Sequence, residues 1–136
     1  MHQLPFAQPG RFWKGNLHTH STRSDGAYAV EEVCRRYREA GYHFLALTDH
    51  FLAKYNWPIT DTRALRTADF TTIIGAELHT DRTEMGEIWH ILAVGLPFDF
   101  APAPEEESAA HLARRALEVG AYVAVAHPAW YCLTER

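Results

Sequence analysis

The segment LHTHSTRSDG, residues 17–26, combines two histidines one residue apart with an aspartate further along. His18 and His20 alternate with Thr19, so in an extended chain both imidazoles point to the same side and could bind one cation. Asp25 follows in a Ser-Asp-Gly turn, where an aspartate commonly hydrogen-bonds the backbone instead. Taken alone, the segment fits a strand surface as well as it fits a metal site.

Further candidate ligands occur later in the chain. Glu77, His90 and His127 are each set among apolar residues. Burial of such a group is unfavourable unless a cation or a hydrogen-bond partner compensates it. His50 follows Thr48 and Asp49, so it could also be a loop histidine, and we expect Asp49 to orient a ligand. We leave His79 outside the predicted site, although it lies two residues beyond Glu77.

Hydrophobic periodicity predicts the elements that position these residues. The segment VEEVCRRYREAG predicts a helix ended by Gly41, and residues 109–117 predict a second helix closed by Gly120. Residues 51–70 predict a loop with a short helix. Apolar runs predict five strands, at residues 12–18, 43–50, 70–79, 88–96 and 121–128. This alternation predicts an α/β fold with right-handed β-α units and a mainly parallel sheet.

The predicted strands place most of the candidate ligands at one rim. His18, His50 and Glu77 each lie at or near the carboxyl end of a predicted strand, and His20 and His127 occupy equivalent positions. The carboxyl ends of parallel strands form the functional face of β/α proteins. His90 is the exception, because it stands inside the fourth strand.

Bulk composition narrows the class of protein. The 136 residues are 47% hydrophobic and 22% charged, which predicts one globular domain over residues 1–136. The net charge of −4 gives no basic footprint for a long nucleic acid. No apolar run approaches the roughly 18 residues of a membrane span, and the amino terminus has no signal-peptide pattern. We expect a cytoplasmic protein in which Cys34 and Cys132 are reduced thiols.

The motifs HTHSTRSDG, ALTDH, GAEL, the histidine of WHILAVG, and AVAHP, in this order, resemble the polymerase and histidinol phosphatase (PHP) domain superfamily. GNLHTHSTRSDG, YREAGYHFLALTDH and AHPAWYCLT are further similar to its branch named for the carbaryl-hydrolysing CehA/McbA enzymes. The resemblance implies a distorted parallel β/α barrel related to the TIM barrel, of which this chain holds about four to five β/α units.

The resemblance also implies about two to three divalent ions at the rim. It assigns seven residues to them: His18, His20, Asp25, His50, Glu77, His90 and His127. His18 and His20 would share one ion with Glu77. Glu77 would bridge to a second ion, held by His90 and His127, and Asp25 and His50 would belong to a third position. Nitrogen and carboxylate ligands suit zinc, manganese or iron.

One family motif does not occur in the sequence. The D-x-H near the end of the barrel is absent, which favours a chain truncated at its carboxyl-terminal end. The alternatives are a sheet completed by a partner chain and a genuine half-barrel variant. A barrel cut at this point leaves open sheet edges, and an open edge favours pairing with a second copy as a homodimer.

Three functions follow from these expectations. The first is a metal-dependent phosphoesterase in which metal-activated water attacks a small phosphate ester. The second is a carboxyl- or carbamate-ester hydrolase, and the third is a non-catalytic metal-binding fragment. Arg23 could bind an anionic substrate or be an exposed loop residue, and Trp130 could line the pocket or pack beside it. Cys132 lacks the context of a nucleophile, so we assign it a structural role.

Overall fold

The computed structural model describes residues 9–83 and 85–131. In chain order its strands and α-helices are β1 (Gly15–Asn16), α1 (Val30–Glu39), β2 (Phe44–Leu47), β3 (His50–Phe51), β4 (Thr71–Arg82), β5 (Ile88–Val94), α2 (Ala109–Glu118) and β6 (Tyr122–Val125). Short 3-10 helices lie at Ala53–Tyr55, Arg63–Leu65 and Pro128–Tyr131.

The strands form one curled sheet in the order β1-β2-β4-β5-β6, with β3 paired to β4. β2 and β3 run in succession along the same side of β4, both parallel to it. The residues between them, Thr48 and Asp49, interrupt the ladder, so the single strand predicted over 43–50 is two short strands. The predicted α/β class and partial barrel are confirmed.

The sheet is mixed, which corrects the expectation of a mainly parallel one. β5 runs antiparallel to both β4 and β6. The cause is the connection between β4 and β5, which spans only residues 83–87. A connection this short joins antiparallel strands, whereas parallel strands need a crossover of a dozen residues or more.

The two faces of the sheet carry different residues because successive side chains of a strand point in opposite directions. The outer face packs against the helices: Leu45 and Leu47 contact α1, while Ala76, Leu78 and neighbouring residues contact α2. The inner face has its own small apolar cluster, formed by Ala46, Leu92, Val94 and Ala126. The candidate ligands lie on this inner face, beyond that cluster.

Both α-helices end as predicted, with Gly41 (φ +76°) and Gly120 (φ +87°) in the left-handed conformation just beyond them. At the start of α2, the Ser108 hydroxyl accepts the N–H of His111, an N-terminal cap. Neither helix in the described ranges has the length and apolar character needed to cross a membrane. Cys34 is a buried free thiol, and burial raises its pKa to about 11; Cys132 lies outside the described residues.

Candidate metal centre

His18 and His20 lie just beyond β1, in a segment held by side-chain hydrogen bonds. The Thr48 hydroxyl oxygen accepts the backbone N–H of Thr19 at 3.1 Å and lies 2.9 Å from Nδ1 of His18. The backbone N–H of Thr48 in turn donates to the Thr19 carbonyl at 2.8 Å. The interruption between β2 and β3 therefore fixes the first histidine of the pair.

The turn after His20 is anchored by a buried aspartate. Asp49 accepts hydrogen bonds from the backbone N–H of Ser21, from the Ser21 hydroxyl and from the Ser24 hydroxyl, each at 2.7 Å. Asp49, which we expect to orient a ligand, holds the turn that carries His20 and Asp25 and so positions these candidate ligands through the backbone.

Glu77 lies at the centre of the cluster, with its side chain completely buried. It stands in the interior of β4 rather than at the predicted strand end, because β4 continues to Arg82. Its Oε1 atom lies 2.8 Å from Nδ1 of His90, 3.1 Å from Nε2 of His127 and 3.6 Å from Nε2 of His18.

The other carboxylate oxygen of Glu77, Oε2, faces a second set of nitrogens. Nδ1 of His50 lies 2.8 Å away and Nε2 of His20 lies 3.2 Å away. Despite these short distances, Oε2 accepts no hydrogen bond of good geometry within the described part of the chain. A buried carboxylate oxygen is destabilising without a partner, so a cation among these nitrogens would satisfy it.

Three groups of residues could each hold an ion, and within each group the ligand atoms lie within 4.8 Å of one another. The groups are His50, Glu77, His79 and His90; His18, Glu77 and His127; and His20, Asp25 and His50. Imidazole nitrogens and carboxylate oxygens are the usual ligands of zinc, manganese and iron. The residues therefore fit the ions that the sequence motifs imply.

Burial favours the neutral form of two imidazoles in the cluster, His18 and His79, beside the charged carboxylate of Glu77. Burial alone would raise the pKa of Glu77, but contacts with His20, His50 and His90 outweigh it and hold that pKa well below its ordinary value. Burial lowers the pKa of His18, and it lowers the pKa of His79 to about 3. A neutral imidazole is the form that binds a metal ion.

Asp25 has the most exposed side chain of the cluster, and it contacts two of the histidines. Nδ1 of His20 lies 2.7 Å from Oδ1 of Asp25, and Nε2 of His50 lies 3.3 Å from Oδ2. Burial would lower the pKa of His20, but its contacts with Glu77 and Asp25 raise it overall. Burial would raise the pKa of Asp25, but the hydrogen bond from His20 and the charge of His50 lower it.

His90 and His127 reach the rim from strands of opposite direction. Because β5 is antiparallel to β4, His90 lies near the amino end of β5, which is at the same edge of the sheet as the carboxyl end of β4. His127 follows β6 with a φ of +33°, a strained conformation for a residue with a side chain. The structure thus brings all seven sequence-predicted ligands together.

His79 belongs to the same cluster, although the sequence analysis left it out. Its Nε2 atom lies 2.7 Å from Nδ1 of His50, and its side chain is buried. The spacing noted in the sequence was the signal, because residues two apart on a strand share a face and His79 therefore points inward with Glu77.

Arg23 and Trp130, the predicted substrate contacts, lie at the margins of the cluster. Arg23 lines a cleft of about 440 Å³ together with Tyr55, whose ring stacks on His50 with centroids 6.3 Å apart. The Arg23 guanidinium has no ion-pair partner within the described ranges. Trp130 is 80% exposed, with its ring centroid 5.9 Å from that of His127.

The α/β partial barrel brings six histidines and two carboxylates together on its inner rim, and these residues form a candidate metal centre. The chain belongs to the PHP domain family, whose family model matches residues 16–128.

Two known proteins illustrate how far the similarity extends. The DNA polymerase/3'-5' exonuclease PolX of Bacillus subtilis (strain 168) is 49% identical over 37 residues, which is 27% of this chain and 6% of PolX. A solved two-domain protein of Bacteroides vulgatus ATCC 8482, containing a predicted PHP-like metal-dependent phosphoesterase, superposes with a TM-score of 0.63 at 23% identity. That match covers 87% of this chain and 36% of the other, so the chain spans about a third of its solved relative.

Proposed function

We propose that this chain is a metal-dependent hydrolase of the PHP type that acts on small phosphate esters. The observation that carries the proposal is the convergence of five histidine nitrogens within 3.6 Å of the buried Glu77 carboxylate. Membership of the PHP domain family and the fold shared with a phosphoesterase-containing protein support it.

Divalent ions, when bound, would polarise the phosphoryl oxygen and lower the pKa of a water molecule towards about 7. In this proposal the ligands are the seven residues of the sequence motifs: His18, His20, Asp25, His50, Glu77, His90 and His127. Glu77 supplies a negative charge shared between neighbouring positions, and the histidines supply neutral nitrogen donors.

Hydrogen bonds of this chain set the tautomers of the first two histidines. The Thr48 hydroxyl donates to the Thr19 carbonyl, so its oxygen is available to accept Nδ1–H of His18. Oδ1 of Asp25 accepts Nδ1–H of His20 in the same way. Both histidines then turn an unprotonated Nε2 towards Glu77, the orientation that a metal ligand requires.

Arg23 is proposed to bind the anionic part of the substrate. Its guanidinium has no protein carboxylate partner in the described part of the chain, and it borders a cleft that adjoins His50 through Tyr55. A planar guanidinium can bind two phosphate oxygens at once. Trp130, whose ring lies beside that of His127, is proposed to line the substrate pocket.

A second candidate is a carboxyl- or carbamate-ester hydrolase. The extended motifs GNLHTHSTRSDG and AHPAWYCLT favour it, because they resemble the CehA/McbA branch. It would use the same ligands on a carbonyl carbon instead of phosphorus.

Assays of the 136-residue chain with p-nitrophenyl phosphate, bis-p-nitrophenyl phosphate and p-nitrophenyl acetate, each with added Mn²⁺ or Zn²⁺, distinguish the candidates. Metal-dependent release from a phosphate ester that is lost in Glu77→Gln supports the phosphoesterase. Turnover of the acetate alone would favour the second candidate. Metal binding without turnover of any substrate would leave a non-catalytic metal-binding chain.

A further inference from the structure

We propose that His79 is an additional ligand of the metal centre, completing a four-residue site with His50, Glu77 and His90. This inference rests on the proposed function, because it concerns the same centre. It differs from the motif-derived ligand set, in which position 79 has no role.

The strand registers place these four side chains next to one another on the inner face. His50 on β3 lies opposite Glu77 on β4, and His79 on β4 lies opposite His90 on β5. Glu77 and His79 are two residues apart on one strand, so both point inward. The four positions form a compact staggered patch, with one residue on β3, two on β4 and one on β5, and the backbone hydrogen bonds between these strands fix the spacing.

The atoms of this patch are spaced as ligands of one ion would be. Nε2 of His79 is 2.7 Å from Nδ1 of His50 and 3.9 Å from Oε2 of Glu77, and Nδ1 of His50 is 2.8 Å from that same oxygen. Metal–ligand bonds of about 2.0–2.2 Å in a tetrahedral site put neighbouring ligand atoms roughly 3.4 Å apart. The oxygen at this corner, Oε2 of Glu77, is the one that makes no hydrogen bond in the described residues.

His79 is buried, unlike a histidine of the protein surface. Its side chain is only 2% exposed, and its ring meets the edge of the His90 ring at 84° with centroids 4.2 Å apart. All four ligands come from residues 50–90, so this position could bind an ion without a contribution from any other part of the barrel.

The alternative is that His79 only positions His50 through an N–H···N hydrogen bond. A thiolate placed at position 79 distinguishes the two roles, because Co²⁺ bound to sulfur has an intense near-ultraviolet charge-transfer band that Co²⁺ bound to nitrogen and oxygen lacks. His79→Cys is therefore compared with Leu78→Cys, the adjacent residue on β4, whose side chain packs in the outer core against α2. The wild-type spectrum, with its two native cysteines, is the baseline.

The experiment titrates Co²⁺ into metal-free wild type and both variants, and measures bound cobalt and the absorption spectrum. A sulfur band in His79→Cys but not in Leu78→Cys supports the proposal. Cobalt bound at wild-type stoichiometry with no such band overturns it. If the wild type binds no Co²⁺, the proposed function fails together with this inference. If the wild type binds Co²⁺ and His79→Cys binds it without a sulfur band, only this inference fails.

A second variant covers the case in which His79→Cys does not fold. His79→Gln keeps a polar side chain of similar length, and circular dichroism of the metal-free protein checks its fold. If His79 is a ligand, the visible Co²⁺ spectrum changes and Co²⁺ affinity falls by at least about 10-fold. An unchanged spectrum would overturn the proposal, and a loss of affinity without a spectral change would mean that His79 only positions His50.

Discussion

Two buried glutamates in this molecule face histidines, and they differ in what balances their charge. Glu77 is surrounded by imidazoles and has no arginine or lysine among its ion-pair contacts in the described residues. Glu107, whose side chain is 3% exposed, lies 2.6 Å from Nδ1 of His111 and 2.9 Å from Nε of Arg115. A guanidinium is always charged in proteins, so Glu107 has a permanent cation beside it.

The comparison separates a structural ion pair from a candidate metal site. In both glutamates Oε2 lacks a hydrogen bond within the described ranges, so an unpartnered buried oxygen does not by itself indicate a ligand. What distinguishes Glu77 is that the imidazoles around it can be neutral and offer nitrogen lone pairs to a cation. In the proposed function a cation from solution compensates Glu77, whereas Glu107 is compensated within the chain.

The largest expected difference follows from neutralising Glu77. We predict that Glu77→Gln lowers metal affinity and any phosphoesterase activity by at least about 100-fold, because the change removes a shared ligand rather than a residue that supports one. At a metal concentration of about 100 Kd, the wild type gains about 2.7 kcal/mol of stability that the variant does not. Thermal unfolding with Zn²⁺ and with EDTA measures this gain.

The metal-free proteins provide the control for this prediction. In EDTA, Glu77→Gln should be less stable than the wild type, because contacts with His20, His50 and His90 hold the pKa of Glu77 low and so favour its charged form in the folded chain. A variant that is less stable in EDTA but retains its metal-induced stabilisation would contradict the role assigned to Glu77.

The second prediction uses pH to test the buried imidazole beside Glu77. The pKa of His79 is lowered from 6.5 to about 3 in the folded chain, so the unfolded chain binds a proton that the folded chain does not. Its contribution to stability is present above pH 6.5 and is lost as the pH falls below it. We predict that metal-free wild type loses about 2 kcal/mol more than His79→Gln between pH 6.5 and 5, at about 1.36 kcal/mol per unit. Urea unfolding in EDTA at the two pH values measures the difference, and equal losses would be inconsistent with the buried neutral imidazole.

The third prediction removes the other glutamate. We predict that Glu107→Gln lowers the free energy of unfolding by on the order of 1 kcal/mol, since it leaves the partly exposed Arg115 without its carboxylate. The loss should be the same with Zn²⁺ and with EDTA, and metal affinity should equal that of the wild type. Chemical denaturation under both conditions measures it; a metal-dependent loss would show that the two regions are coupled.

The sequence is sufficient to predict most of the fold. Helix periodicity and the terminal glycines give α1 and α2 close to their observed bounds, and the apolar runs locate β4 and β5. The direction of β5 was not predicted, because a short connection forces it and the pattern of apolar residues carries no direction. The division of the strand predicted over 43–50 was also missed, because it depends on how Thr48 and Asp49 bond the segment after β1.

For the candidate site, residue types and positions in the predicted strands favour six residues: His18, His20, His50, Glu77, His90 and His127. The inclusion of Asp25 rests on the resemblance to the PHP family, and the structure brings all seven residues together. His79 could have been added from alternation alone, since it is two residues from Glu77. The partners through which Asp49 acts could not be predicted, because Ser21 and Ser24 lie 28 and 25 residues away in the chain and only the folded turn brings them to it. Local patterns thus predict which residues face inward, and tertiary contacts decide which of them hold others in place.

The smallest expected effect comes from replacing His111, the histidine beside Glu107. His111 is 61% exposed, and exposed ion pairs contribute about 0–1 kcal/mol. We predict that His111→Ala changes the free energy of unfolding by less than about 0.5 kcal/mol and leaves metal affinity unchanged. His18→Ala, the matched change beside Glu77, should weaken metal binding by about 10- to 100-fold, since Thr48 aims that ring at the carboxylate. Calorimetric Zn²⁺ titration of both variants measures the contrast. Equal affinities would mean that His18 is not a metal ligand, and that the lack of a fixed cation beside Glu77 does not distinguish its histidines from His111.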